Sequence, residues 1–314
     1  MTRKTKRQTW AGSFLAIVRY ELLWNIRKKK FIGVLILAFA FATLSLVLPV
    51  VLRNMNNQPI NPNPDYVMTS GTGIGSFAFF LFALVSVMNS ISGEFESGSI
   101  VPLLTKPVSR TTVYLGKICA AFITILGAYV LLMIYLAAGG YVIYGPQNNL
   151  HLISITLLGS IMSTLVWMSI VLAAGSVSKS SMLAALLGIG IWLGLSIVAG
   201  ILAVFSNQAS ALTFIPGGGA SGTLVTSGPS NQTSISTGTD NIASLITSYI
   251  LNPTADVTFF RIEIDPAHGI VNRIPMYTES LSLVAARSVA VAVIYILAFN
   301  FIAWFAFKRA QIAE

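Results

Sequence analysis

Apolar positions in this chain come mainly in long unbroken runs. A helix needs roughly 20 residues to cross the hydrocarbon of a bilayer. Runs of that length lie at about 31–52, 72–92, 111–144, 152–175, 182–205 and 283–307. The third exceeds one bilayer thickness, which predicts tilt or projection. Polar breaks separate the runs: NMNNQPINPNPDY after the first, GPQNN after the third and SVSKSS between the fourth and fifth. Two stretches show a stripe instead. Ala11, Phe14, Leu15, Val18, Leu22 and Ile26 recur at helical spacing, with Arg19, Glu21 and Arg27 off the stripe. This predicts an amphipathic helix in the membrane interface, the alternative being an ordinary basic flank. Ile242, Leu245, Ile246, Tyr249 and Ile250 form the second stripe. Asp240 is placed to cap that run and Asn252-Pro253 to stop it. The result is a short amphipathic helix over about 241–251, resting on or dipping into the membrane, with a soluble subdomain as the alternative.

The pattern predicts an all-α polytopic membrane protein of six transmembrane helices preceded by an interfacial helix. A basic segment occupies 1–30. Helices one to five occupy 31–205, with a polar loop at 93–110. A polar segment covers 206–282, and 283–314 holds the last helix and a short tail. Within 206–282, PGGGASGTLVTSGPSNQTSISTGTD is poor in large apolar residues and is expected to be flexible.

Composition supports the membrane reading. Of 314 residues 55% are hydrophobic and 9% charged, against about 25% charged in soluble domains. The net charge of +9 does not point to nucleic acid, because nine of the 19 Lys and Arg fall in the first 30 residues, ahead of the first run. That is a cytoplasmic flank. The following run is too long for a cleaved signal peptide. Placing both termini in the cytoplasm puts fifteen basic residues inside and leaves Arg53, Arg261, Arg273 and Arg287 outside. The expected location is therefore the plasma membrane with both termini cytoplasmic.

Candidate chemistry is sparse. Cys119 lies in an apolar run and reads as a small buried hydrophobe. His151 and His268 have no second ligand at metal spacing, so no catalytic, cofactor or metal residues are assigned. The middles of the runs hold no Asp, Glu, Lys or His. Ion-driven carriers usually keep such a group there, so energy for transport should come from elsewhere. Asn300, Ser163 and Thr164 read as helix–helix hydrogen bonders, and Gly71/Gly75 and Gly190/Gly194 would permit close helix approach.

The loop at 93–110 is different. Glu94 and Glu96 precede the apolar Ile100, Val101, Leu103 and Leu104, and Lys106 and Arg110 close it. Gly98 loosens the backbone, Pro107 ends the turn and Ser109 can cap the next helix. An apolar face with a charged rim fits a docking element, the alternative being a loop that returns to the membrane.

The run Glu94 through Arg110, followed by Tyr114-Leu115-Gly116-Lys117, resembles the first cytoplasmic loop of ABC-2-type transporter permeases. The basic helix around Arg19-Tyr20-Glu21-Leu22, the six-span layout and Asn252-Pro253-Thr254 are similar too. The resemblance implies an ABC-2, type V exporter-like fold and an exporter subunit that is not itself an ATPase. Glu94, Glu96, Gly98, Ile100, Leu103, Leu104, Lys106, Pro107 and Arg110 would couple it to a separate ATP-binding subunit. Phe14, Val18, Arg19, Glu21 and Leu22 would form the interfacial helix. The implied assembly has two ATP-binding subunits and a second permease, either a copy or a relative, in membrane lipid without nucleic acid. ATP and Mg would sit on the partner and no cofactor on this chain. The motif variant resembles small bacterial permeases of bacteriocin or antibiotic resistance, sodium extrusion and cofactor maturation more than the polysaccharide and multidrug members. The large polar segment departs from better-known members, so the substrate class stays broad: an amphipathic, lipid-like, peptide or drug molecule. A sensory membrane protein signalling through the loop, and an ion-coupled carrier, are the rival readings.

Overall fold

The computed structural model describes residues 10–57, 64–68, 76–98, 109–205, 209–225, 233–265 and 270–309. Helix α1 covers Trp10–Arg27, α2 Lys29–Met55, α3 Ser76–Val87 and α4 Ser92–Glu96. Then come α5, Arg110–Tyr144, α6, Ile153–Ser178, and α7, Ser181–Phe205. Helix α8 is Ile242–Leu251 and α9 is Leu281–Arg309. Among the described residues six segments are long and apolar enough to cross a membrane: α2, α3 extended through α4, α5, α6 with its leading turn, α7 and α9. At 35 residues, α5 runs about 52 Å at 1.5 Å per residue, well beyond a hydrocarbon core.

Helix α6 is the centre of the bundle. Trp167, Val166 and Met168 are fully enclosed, and Phe80 of α3 meets the Trp167 ring edge-on at 5.6 Å. The polar side chains of this core hydrogen-bond between helices, which is how such groups are tolerated where water is absent. Tyr129 and Thr164 hydroxyls are 2.5 Å apart, Asn300 Nδ2 donates to Ser169 Oγ at 2.7 Å, and Ser163 Oγ donates to the Thr239 carbonyl at 2.7 Å. By contrast α2 and α7 are mostly uncovered. Gly190 and Gly194 of α7 face open space, while Gly71 and Gly75 lie outside the described residues.

The segment before α9 is more ordered than its composition suggests. Strands β1 (Ser221–Val225), β2 (Thr233–Ser236), β3 (Asp256–Asp265) and β4 (Ile270–Ser280) form one antiparallel sheet, ordered β2-β1-β3-β4. Val257 pairs with Glu279 and Phe259 with Tyr277, and a register shift follows at Phe259/Phe260. Leu224, Ile235, Val257 and Phe259 pack on Leu245 of α8 and on Leu281 and Val284 of α9. The all-helical membrane domain thus carries a small sheet that run lengths alone did not predict. Two of its strands fall in the stretch expected to be flexible.

Helix α8 enters the bundle beside α6. A Cβ on Gly159 would meet the Ala243 Cα at 2.5 Å, so the two backbones touch where no side chain fits. Thr156 and Thr247 hydroxyls lie 3.2 Å apart one turn further along. Asp240, expected to cap α8, does not. The cap position is Asn241, which makes no side-chain cap bond. The tight turn Thr239–Asn241 instead aims the Asp240 carboxylate at α6, where Trp167 Nε1 donates to it at 3.1 and 3.3 Å. Trp167 stands 14 residues into α6, about 21 Å along its axis. The spans hold no central carboxylate of their own, but the fold inserts one from the segment between α7 and α9.

Candidate coupling site

Helix α4 is five residues long, and three consecutive side chains on it reach three different parts of the bundle. Glu94 Oε1 lies 2.8 Å from Lys117 Nζ of α5. The same ammonium is 2.5 Å from Glu21 Oε1 of α1. These side chains are 20%, 3% and 9% exposed. Charges so enclosed persist only when paired, so Lys117 ties α1, α4 and α5 into one unit. Gly116 makes the approach possible, since a Cβ there would meet Ile17 Cγ2 at 2.7 Å and push α1 away. Tyr114 extends the unit to α9, its hydroxyl donating to the Asn300 carbonyl at 2.9 Å.

Phe95 turns toward the end of α9, meeting Phe307 edge-on at 6.2 Å between centroids. Lys179, in the link between α6 and α7, stands 5.8 Å above its ring, within cation–π range. Glu96 reaches the start of α7: its Oε1 accepts from Ser180 Oγ at 2.7 Å and from the Ser181 amide at 2.8 Å. A carboxylate at a helix N-terminus satisfies an orphan N–H and complements the helix dipole. Helix α4 ends with Ser97 Oγ donating to the Gly93 carbonyl and Gly98 at φ +67°, a backbone angle suited to glycine.

Ile100, Leu103, Leu104, Lys106 and Pro107 lie outside the described residues. On the far side Ser109 caps α5, accepting from the Thr112 amide at 3.1 Å. Arg110 Nη1 donates to the Lys308 carbonyl at 2.9 Å, a cation at the C-terminus of α9. Trp10 Nε1 donates to Thr112 Oγ1 at 2.9 Å. These bonds bring the start of α1 and the end of α9 to the same end of the bundle as α4.

Helix α1 turns toward the protein a face that overlaps its apolar stripe only in part. Val18 is buried, Phe14 and Leu22 half-buried and Arg19 exposed, but Leu15 and Ile26 point outward. Glu21 and Asn25, off or outside the stripe, are buried. The stripe treated polar residues as facing water. Here Glu21 meets a lysine beside the buried Val18, and only part of the stripe, Leu15 and Ile26 among it, faces away from the protein. Lys117 lies near the start of the third apolar run. A lysine two turns into an apolar run signals a buried carboxylate partner, and that signal was present in the sequence.

Among the described residues no group of three metal-ligating side chains occurs. Helix α4 touches α5, α7 and the end of α9 directly and is linked to α1 through Lys117. No curated protein shows a significant match to the chain. A family model described as ABC-2 family transporter protein matches residues 15–312, from within α1 through the Lys117 junction to beyond α9. With six membrane-length helices and this match over nearly its whole length, the chain belongs to the ABC-2 transporter family as a multi-pass membrane component.

Proposed function

We propose that this permease is driven by ATP hydrolysis on a separate subunit, which docks on the stretch that follows α4. The observation that carries the reading is the succession Glu94, Phe95, Glu96. Three neighbouring side chains fasten α4 to the α1–α5 unit, to the end of α9 and to the start of α7. A push delivered to α4 would be passed to α5, α7 and α9 by direct contact and to α1 through Lys117. Ile100, Leu103 and Leu104 supply the apolar contact, with Lys106 and Pro107 shaping its end. Glu94, Glu96 and Arg110 act from inside, holding the ends of the docking stretch to the bundle. The charge asymmetry supports a plasma-membrane protein with α4 and both termini in the cytoplasm. ATP and Mg reside on the two partner subunits. A second permease covers α7, whose Gly190 and Gly194 are open. The cargo is an amphipathic, lipid-like, peptide or drug molecule moving outward.

Leu103→Asp tests the docking assignment. The variant is expected to insert and fold but to lose the ATP-binding subunit on co-purification, as a charge in an apolar groove costs several kcal/mol. Undiminished co-purification and transport would refute it. An ion-coupled carrier gains one observation, the Asp240 carboxylate beside Trp167. Its signature is transport without ATP that follows a proton or sodium gradient.

A further inference from the structure

A cleft of about 1280 Å3 opens between α1, the start of α2, α4 and α7. Its charges are unevenly spent. The carboxylates that line it are Glu21, Glu94 and Glu96. The first two share Lys117, and the third is bound to the start of α7. Lys28, Lys29 and Lys30 line the same cleft, and among the described residues none of them has a carboxylate within ion-pair distance. Lys28 is held in place: its ammonium donates at 2.7 Å to Oδ1 of Asn25, itself 2% exposed. Burial lowers the Lys28 pKa to about 8; the charge of Glu21 opposes this, and Lys117 and Lys30 add to it.

The lysines also stand where cations are disfavoured. Lys29 and Lys30 open α2, whose first turn has no acidic residue and whose cap, Lys28, makes no side-chain cap bond. A helix start attracts anions and repels cations. An anion in the cleft would answer both the unpaired lysines and the helix end.

The opposite wall is apolar and runs along the membrane span. Met182, Leu186 and Ile189 of α7 line the cleft and are 72%, 55% and 39% exposed. Trp24 and Tyr20 flank the lysines, as aromatic side chains do at headgroup level. A free phosphate would use the lysines and leave this wall bare.

We infer that the cleft binds an anionic phospholipid, its phosphate against Lys28, Lys29 and Lys30 and an acyl chain along Met182, Leu186 and Ile189. The inference needs only the membrane placement of the chain and holds whichever energy source drives the permease. The bound lipid fills the space beside the Glu21–Lys117–Glu94 junction, so its headgroup abuts the base of α4.

The test is retention of phosphatidylglycerol by the full chain, counted by native mass spectrometry after exchange from nanodiscs of phosphatidylglycerol or phosphatidylcholine. The parent is expected to keep one phosphatidylglycerol per chain and no phosphatidylcholine. Lys28→Gln/Lys29→Gln/Lys30→Gln should lower retention on the order of a hundredfold, from about 1 kcal/mol per basic residue. Lys308→Gln/Arg309→Gln, which removes charge at the same end of the bundle, should leave it unchanged. Leu186→Trp, which fills the wall and spares every lysine, should also expel the lipid, guarding against a folding defect in the triple variant. Retention should fall as pH rises through about 8, where Lys28 loses its proton. Equal retention by parent and triple variant, equal loss in the Lys308/Arg309 control, or displacement by millimolar inorganic phosphate would overturn the proposal. The last result would mark a free-anion site.

Discussion

Lys117 sits between two carboxylates contributed by residues 96 positions upstream and 23 positions upstream. Removing one partner from an enclosed set costs about 3–5 kcal/mol, because the charges left behind are unpaired. Lys117→Met is therefore expected to destabilise the protein strongly in a thermal unfolding series in nanodiscs. Adding Glu21→Gln and Glu94→Gln to it should restore most of the loss, since no naked charge remains. A Lys117→Met protein as stable as the parent would show that the junction carries little of the fold. Local features of this kind were partly legible. Ser109 could be assigned as a cap because its partner lies three residues away, and Asn300 as an interhelical donor because a span offers few alternatives. The Glu21–Lys117 pair was not, because only the packing of α1 on α5 brings those residues together. Asp240 shows the opposite failure: a plausible local cap was overridden by a tertiary partner, Trp167.

At the scale of elements, run length read the six spans correctly, because in hydrocarbon every backbone group must be satisfied inside its own helix. The stripe from Ile242 to Ile250 likewise matched α8. The sheet was missed although its signal is visible, with Ile262 and Ile264 alternating with Arg261, Glu263 and Asp265 at period two. That alternation is short and lies between two stronger apolar patterns. The depth of α8 was beyond sequence reading, since it depends on Gly159 giving room to Ala243. Gly159→Leu should lever α8 away from α6. In a Cys119→Ala background, a cysteine at Thr247, a position 3% exposed, should be inert to a membrane-impermeant thiol reagent. The same cysteine should react once Gly159→Leu is added. Reaction at equal rates in both proteins would mean that the close contact does not hold α8 in place.

Across the whole molecule, the junction at α4 divides the bundle into what it grips and what it leaves free. It holds α1, α5 and α9 by side chains and α7 by its first turn, while the sheet and α8 brace the opposite end. Glu96 makes the shortest hydrogen bonds from α4 to α7, which with α2 is the least buried of the spans. A docked ATP-binding subunit that moves residues 99–108 should therefore move α7 in each of two permeases. This is measured by the distance between spin labels at Val198→Cys in the two permeases, in the Cys119→Ala background with the ATP-binding subunit bound. Adding ATP, Mg and vanadate should shift the distance distribution in the parent, and Glu96→Ala should abolish most of that shift while the partner stays bound. A parent that shows no shift, or a Glu96→Ala protein that shifts as fully as the parent, would contradict the account.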